Sequence, residues 1–308
     1  MNSLLYIAVV LIWGTTWIAI KMQHGMVAAE VSIFWRFACA SFLLMAGLFF
    51  SKRLKAIGHK GHLLCFLQGI TVFGLNFFCF YHAVTWISSG LESVIFSMAM
   101  IFNAVNGWLY FRQPITKNIM VAAPLGLIGV LLLFWQDLKL IEQNSSVFYG
   151  IGLSVLGTYC FSIGNMISAK HQKEGRDVMS TNAWGMLYGT LVMGLLALSL
   201  GYDFSPELSF QYLSSLLYLS VFGSVIGFGA YFILVGRIGA SHAAYATLLF
   251  PLVALTVSTF FEGYIWHWNA IAGLCLILLG NAAMFFKPEQ IRNRKGSALP
   301  FPLGIRKS

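Results

Sequence analysis

The sequence contains very little charge. Only 9% of the 308 residues are Asp, Glu, Lys or Arg, whereas 58% are hydrophobic. Water-soluble domains average about 25% charged residues, so a soluble fold of this composition would leave most of its surface apolar. The composition therefore excludes an ordinary soluble domain and favours a protein embedded in lipid.

Long stretches contain no charged residue at all. The uncharged stretches are residues 61–91, 93–111, 118–136, 143–169, 178–202, 208–236, 238–261 and 263–286. A helix needs about 20 mostly apolar residues to cross a bilayer, so these stretches predict membrane-spanning helices, and two more precede them. The ten predicted spans are 3–22, 30–50, 62–84, 91–110, 118–135, 147–168, 180–200, 211–234, 241–260 and 267–286.

Motifs of enzymes and ligand-binding loops are also missing. The sequence has no GxxxxGK[ST] loop for ATP and no HExxH motif. The predicted spans contain no Asp, and Glu30, Glu92 and Glu262 lie near span ends. The five cysteines lie within spans without CxxC spacing, which predicts neither disulfides nor a metal site. We therefore predict no enzyme, no cofactor and no metal; an intramembrane enzyme and a channel are the alternatives from other classes.

The net charge is +9, and the distribution of the basic residues along the chain indicates a membrane topology rather than a nucleic-acid-binding surface. If the N-terminus is cytoplasmic, nearly all of the 19 Lys and Arg residues fall in cytoplasmic loops or in the basic tail 287–308. Only Lys21 and Lys139 lie on the opposite side, and Arg36 lies within a span. This bias is typical of positive-inside topology. It predicts a cell inner-membrane protein with both termini cytoplasmic and a tail near anionic lipid headgroups.

The chain contains an internal repeat. The stretch FYHAVTWISSGLESVIFSMAMIFNAV, Phe80 to Val105, returns about 150 residues later as YFILVGRIGASHAAYATLLFPLVALT, Tyr231 to Thr256. Each half holds five predicted spans, and because five is odd the halves must be inverted relative to each other. The sequence therefore predicts an all-α polytopic membrane protein of ten helices, as two inverted five-helix repeats at residues 3–135 and 147–286.

Several short motifs follow one another along the chain. They are IWGTTWIAIK in the first span, FWRFACASFLL in the second, FYHAVTWISSGLES across the third and fourth, and Pro251, Glu262, Gly273 and Gly280 in the last two. In this order they resemble the drug/metabolite transporter superfamily, in its ten-helix EamA-type branch, over residues 3–286. The first repeat departs from that family's pattern at Arg112-Gln113-Pro114, where the family has a glutamate.

The resemblance implies a transporter of small metabolites that works by alternating access, often an amino-acid exporter. Because topology does not set direction, import of a vitamin, nucleoside or other scavenged metabolite is the alternative within transport. Because the sequence has no ATP-binding loop, transport must be driven by a gradient of protons or of the substrate itself. The expected partners are a small-molecule substrate and the lipid bilayer, without nucleic acid; a homodimer is an open alternative.

Aromatic residues make up 16% of the chain and suggest where a substrate binds. Trp13 and Trp17 are four residues apart, on one face of the first span near its middle. The candidate substrate-binding residues are Trp13, Trp17, Asn76, Phe80, Phe96, Asn103, Tyr159 and Tyr245. Because isolated polar groups need partners in a bilayer, Asn76, Asn103 and Tyr245 should point inward. Ordinary helix packing is the alternative for each.

Four charged or titratable residues are candidates for coupling or gating. An arginine within a span normally faces the bundle interior or a cavity, so Arg36 either contacts a substrate carboxylate or clamps helix packing, with Glu30 nearby. Glu92 and His242 occupy equivalent positions in the two repeats, where they would couple transport to protons or simply complement helix termini. Glu262 is predicted at the outer interface as a topology or gate residue.

Overall fold

The computed structural model describes residues 2–25, 27–133, 135 and 146–285, and every regular element within those ranges is helical. The main helices are α1 (Asn2–Met22), α2 (Ala29–Phe50), α3 (Gly58–Ala83), α4 (Ser89–Phe111), α5 (Lys117–Leu133), α6 (Ser146–Lys173), α7 (Val178–Ser199), α8 (Phe210–Ile238), α9 (Phe250–Phe261) and α10 (Trp268–Phe285). A short helix, Ala240–Ala243, and a 3₁₀ segment, Ala244–Leu248, precede α9. The predicted basic tail 287–308 lies outside the described residues.

The helices have the length and surface of a membrane protein. Among the described residues, α1–α4 and α6–α8 are seven helices long and apolar enough to cross a bilayer, and α5, α9 and α10 are shorter apolar helices. Large apolar side chains face outward: Phe42 is 72% exposed, Leu195 66% and Phe260 81%. A soluble monomer rarely exposes extensive apolar surface of this kind. The prediction of an all-helical, multi-pass membrane protein is confirmed.

Polar residues in the loops set where several helices begin. Ser88 Oγ accepts a hydrogen bond from Leu91 N at 3.3 Å, and α4 begins at the next residue, Ser89. In the same way, Asp177 Oδ2 accepts from Ser180 N at 2.9 Å at the start of α7. Such caps satisfy backbone donors that a helix leaves free in its first turn.

The two halves share irregular segments as well as helices. Residues Gly69–Leu75 of α3 and Leu219–Ile226 of α8 are π-helical, and their first residues are 150 positions apart. The α-helical bonding of α4 is interrupted at Ser97–Met98, and the 3₁₀ segment before α9 occupies the equivalent place. π-helical turns are rare and often lie at functional sites. Their recurrence at the spacing of the sequence repeat indicates that the two halves share a backbone geometry and that these segments lie near a functional site.

The bundle has two distinct ends. Arg237, near the end of α8, donates to Asn2 Oδ1 at the start of α1, at 3.1 Å. Gln211, near the start of α8, donates to the carbonyl oxygen of Met22 at the end of α1, at 3.4 Å. Helices α1 and α8 are therefore antiparallel, and the two ends are called below the Lys21 end and the Arg237 end.

Helices α5 and α10 touch backbone to backbone. A Cβ atom placed on Gly129 would lie 2.6 Å from the carbonyl oxygen of Gly273. A Cβ atom on Gly273 would overlap the carbonyl oxygen of Gly129 and lie 2.9 Å from Leu133 N. Small residues permit this close approach between helices in lipid, so glycine is required at both positions.

We expect Gly273→Ala to lower the melting temperature of the purified protein, because the added methyl group meets backbone atoms that cannot rotate away. Overpacking of this kind costs about 1–3 kcal/mol. Gly126→Ala, on α5, is the matched control, since no atom lies within 4 Å of its Cβ position. Alanine there should be neutral or stabilising by up to about 1 kcal/mol. Equal melting temperatures for the two variants would contradict the prediction.

Candidate functional site

A small cavity lies midway along α1, between the two halves of the chain. It is lined by Trp13, Thr16, Trp17, Ile20, Arg36, Asn76, Phe77, Phe80, Phe96, Phe161 and Phe228. These residues come from α1, α2, α3, α4, α6 and α8, so both halves contribute to the lining. The cavity volume is about 30 Å³, which is room for about one water molecule. In this conformation the aromatic side chains are closed over the site.

Trp13 is at the centre of the aromatic cluster. Its Nε1 donates to the carbonyl oxygen of Gly223 at 2.9 Å, within the π-helical segment of α8. Its ring centroid lies 4.7 Å from that of Phe228 and 4.9 Å from that of Tyr231. Gly227 makes this approach possible, because a Cβ atom there would overlap Trp13 Nε1. The glycine and the π-helical turn together seat the indole against α8.

Trp17 forms the opposite side of the cluster. Its ring centroid lies 5.0 Å from that of Phe80 and 5.4 Å from that of Phe96, both in edge-to-face arrangements. Phe96 in turn lies 4.7 Å from Phe161 of α6. Such arrangements are the favoured geometry of aromatic pairs. The structure therefore brings the predicted residues Trp13, Trp17, Phe80 and Phe96 to one cavity, together with the predicted Asn76.

Asn103 points inward but lies outside the cavity lining. It is fully buried, its Nδ2 donates to the carbonyl oxygen of Ala240 at 3.3 Å, and its Oδ1 accepts from Asn165 Nδ2 at 3.2 Å. Asn165 also donates to the Tyr231 hydroxyl at 3.1 Å. This network joins α4, α6 and α8 beside the aromatic cluster, so the amide of Asn103 is occupied by protein groups.

The structure does not bring Tyr159 to the cavity. Its side chain is 37% exposed, and its ring lies 5.5 Å from that of Phe102, away from the lining. Phe161 takes the cavity-facing place on α6 because the small polar residues Thr158 and Ser162 turn that face inward. The Tyr245 side chain lies outside the described part of the structure.

Sequence reasoning missed several lining residues. They are Thr16, Ile20, Phe77, Phe161 and Phe228. A sequence signal existed for Phe161, since it lies on the buried face that Ser154, Thr158 and Asn165 also mark.

Arg36 reaches the cavity from α2. Its side chain is 1% exposed, and its Nε donates to Ser224 Oγ at 3.0 Å. The guanidinium carbon lies 4.2 Å from the centroid of the Phe77 ring, within range of a cation–π interaction. Glu30, the nearby acid considered as its partner, instead lies 3.0 Å from His82 Nε2 through Oε1. The guanidinium therefore faces the cavity without that carboxylate.

Glu262 joins three elements at the Lys21 end. Its Oε1 lies 2.5 Å from Lys21 Nζ, and its Oε2 accepts from Ser89 Oγ and Ser258 Oγ, each at 2.5 Å. The Glu262 side chain is 4% exposed. Burial acts to raise the pKa of its carboxyl, but Lys21, Ser258 and Ser89 together hold that pKa below its ordinary value. The carboxylate form is thus the one that holds α1, α4 and the end of α9 together; this group is called the Glu262 latch.

Glu92 and His242 are not neighbours. Glu92 lies in the first turn of α4 at the Lys21 end, fully buried, and within the described residues neither of its carboxyl oxygens has a hydrogen-bond partner. The short helix that contains His242 packs against the other end of α4, where Ser241 Oγ lies 3.9 Å from the Cβ position of Gly107. Fifteen residues of helix separate Glu92 from Gly107, about 22 Å at the usual rise.

A larger cavity opens at each end of the bundle. The cavity at the Lys21 end has a volume of about 360 Å³ and is lined in part by Lys21, Trp86 and Glu262. The one at the Arg237 end has a volume of about 330 Å³ and is lined in part by Gln113 and Lys173. The aromatic cavity midway along α1 thus lies between two vestibules, with aromatic rings on its walls and the Glu262 latch at one end.

The sequence matches the EamA-like transporter family over residues 2–135 and 148–286. The chain belongs to this family. The match covers both halves, which agrees with the two-repeat membrane fold and with the resemblance noted in the sequence.

Relatives of this chain are named as transporters. The uncharacterized transporter YoaV of Bacillus subtilis is 27% identical over 253 residues, 81% of this chain and 84% of YoaV. A Salmonella typhimurium protein named "Probable amino-acid metabolite efflux pump" is 27% identical over 290 residues, 91% of this chain and 93% of that protein. A solved structure that is 13% identical superimposes with a TM-score of 0.69 and covers 92% of this chain and 96% of its own. At that identity the structural likeness supports the fold alone. Together, family and relatives identify a multi-pass transporter of a small molecule.

Proposed function

We propose that this protein is an inner-membrane secondary transporter that exports an amino acid or a related small metabolite by alternating access. The observation that carries the proposal is the position of the aromatic cavity, between the two halves and between two vestibules. Transporters built from inverted repeats hold their substrates near the bilayer midplane at the repeat interface. The efflux pump among the relatives, at 27% identity, supports the substrate class.

The topology that we propose has ten spans, α1 to α10, as two inverted repeats at residues 3–135 and 147–286. The paired π-helical segments support it, as does the reciprocal contact of Gly129 with Gly273 across α5 and α10. Both termini are then cytoplasmic, because the Arg237 end carries the basic loops. Those loops contain Lys52, Arg53, Lys55, Lys60, Arg112, Lys117, Lys170, Lys173, Arg176 and Arg237.

The lining favours an amphiphilic solute. Trp13, Trp17, Phe80, Phe96 and Phe161 offer ring faces and edges on which a flat or branched apolar body packs. Few polar groups converge on the same cavity, as is usual for small-molecule sites in which apolar walls supply area and polar groups supply orientation. Because the cavity holds only about 30 Å³ here, substrate entry requires these rings to move apart.

The Glu262 latch is the proposed gate at the outer, Lys21 end, and Glu92 is the proposed proton carrier. Glu92 lies in the first turn of α4, one turn after Ser89, whose hydroxyl donates to Glu262. Gaining or losing a proton there would change the balance of charge at the latch. His242 lies at the opposite end, so the coupling role is assigned to Glu92 alone.

The test is a mass-spectrometric comparison of growth medium and cell extract with the gene deleted and overexpressed, followed by transport into liposomes containing the purified protein. We expect one amino acid or related solute to rise in the medium on overexpression and to accumulate inside on deletion. Depletion of a solute from the medium would instead establish import. If the purified protein moves no candidate solute above empty liposomes, the transport proposal fails.

A further inference from the structure

Three buried polar atoms of the cavity lining have no hydrogen-bond partner among the described residues. They are Arg36 Nη1, Trp17 Nε1 and Asn76 Oδ1. More than about 90% of buried polar groups in proteins are paired, and a buried polar group left unpaired destabilises the fold. Three such atoms on one small cavity point to a ligand that supplies the missing partners.

Arg36 requires an anion. The ion pairs of the described residues join Lys21 to Glu262, His82 to Glu30 and Arg176 to Glu174, and none includes Arg36. The Tyr81 hydroxyl lies within hydrogen-bonding reach of the guanidinium and donates to Gln23 Oε1 at 2.6 Å, so it gives Arg36 a polar partner but no carboxylate. A buried charge without a counter-charge is strongly destabilising. A carboxylate on the ligand would supply the counter-charge and accept from Arg36 Nη1.

The two other unpaired atoms have complementary roles. Trp17 Nε1 is a donor, so it would donate a hydrogen bond to the same carboxylate or to another acceptor on the ligand. Asn76 Oδ1 is an acceptor, and it requires an N–H or O–H donor. The lining contains no Asp, Glu or His, so an amino group of the ligand would meet a neutral amide oxygen and not a carboxylate. The carboxylate should therefore contribute more to affinity than the amino group does.

We infer that the cavity binds a small carboxylic acid that carries an N–H or O–H donor beside its carboxylate, as 2-amino and 2-hydroxy acids do. Arg36 holds the carboxylate, Asn76 accepts the neighbouring donor, and the apolar body packs on Trp13, Phe80 and Phe96. This inference rests on the proposed function for its role in transport, but binding is measurable without transport.

The test measures binding of small-molecule probes to the purified protein. Binding is detected as a shift in melting temperature and as a change in tryptophan fluorescence, since Trp13 and Trp17 line the cavity. The probes are L-phenylalanine, its carboxamide L-phenylalaninamide, and 3-phenylpropanoate, which keeps the carboxylate but has no amino group. For the natural protein we expect the amide to bind at least tenfold more weakly than phenylalanine. We expect 3-phenylpropanoate to bind a few-fold more weakly.

Two variants assign the contacts. Arg36→Gln should weaken phenylalanine binding tenfold or more and leave the amide unchanged, because a charge-assisted hydrogen bond is lost only with the acid. Asn76→Leu should weaken phenylalanine but not 3-phenylpropanoate. Arg237→Gln is the matched control, because it makes the same change of charge at an exposed position outside the cavity. It should leave all three affinities unchanged.

The inference is overturned if the natural protein binds the amide as tightly as the acid, or if none of the three probes binds. It is also overturned if Arg36→Gln weakens acid and amide equally, as a purely structural clamp would. If Arg36→Gln does not purify as a monodisperse protein, the acid-to-amide ratio of the natural protein decides. Transport in liposomes without any preference for carboxylates would leave the proposed function intact and remove only this inference. Carboxylate-selective binding without transport would support this inference and contradict the proposed function.

Discussion

Glu92→Gln is expected to abolish the response of transport to a proton gradient while substrate exchange continues. Glu92 is fully buried near the Lys21 end, and within the described residues its carboxyl oxygens have no hydrogen-bond donors. Because the buried carboxyl has no partner, each gain or loss of its proton would require a rearrangement that brings water or Lys21 to it. Glutamine has nearly the same shape but cannot release a proton, so the coupling step disappears.

The measurement uses liposomes that contain the purified protein and the solute identified from the growth medium. Gradient-driven transport by Glu92→Gln should fall at least tenfold, whereas exchange of labelled for unlabelled solute without a gradient should persist. His242→Ala is the control, because His242 lies at the Arg237 end and should leave both rates unchanged. Gradient-driven transport that survives Glu92→Gln would remove Glu92 as the proton carrier.

The local sequence pattern was sufficient to find much of the aromatic cavity. In α1, the four-residue spacing of Trp13 and Trp17 places both rings on one helical face, and both line the cavity. Phe80 and Phe96 were found in the same way, because Phe80 shares a helical face with Asn76 and Phe96 shares one with Asn103. Regular helix geometry therefore carried these predictions.

The same geometry failed where the backbone departs from it. Phe228 follows the π-helical segment Leu219–Ile226, whose wider turns shift every later residue around the helix axis. A face counted at the α-helical period is therefore displaced at Phe228, although the residue lines the cavity. On α6 the face that faces the substrate was predicted to include Tyr159, whereas the buried face runs through Thr158, Phe161 and Ser162. In lipid, the polar residues decide which face turns inward.

The Glu262 latch could not be predicted from the local sequence for a different reason. Its partners Lys21, Ser89 and Ser258 come from α1, α4 and α9, and only the tertiary packing of those helices brings them together. The position of Glu262 after an apolar span predicted an interfacial residue. It did not predict which helices that residue joins.

Glu262→Gln is expected to open the Lys21 end of the bundle. The substitution removes the charge that pairs with Lys21, and the neutral amide forms weaker bonds with the Ser89 and Ser258 hydroxyls than a carboxylate does. With α1, α4 and the end of α9 less tightly held, the aromatic cavity should be open to that side for a larger fraction of the time. The measurement is the reaction rate of a cysteine at Thr16, which lines the cavity and is 6% exposed, with a membrane-impermeant maleimide.

The cysteine is introduced into protein whose five native cysteines are replaced. Labelling from the Lys21 side should be about tenfold faster in Glu262→Gln than in the parent protein, and labelling from the Arg237 side should slow down, because opening one side closes the other. Glu207→Gln is the matched control, since it makes the same change in the loop between α7 and α8 at the same end. If Glu262→Gln accelerates labelling from both sides equally, the bundle has loosened as a whole and Glu262 is a packing residue. If it changes neither rate, the ion pair with Lys21 does not hold the gate closed.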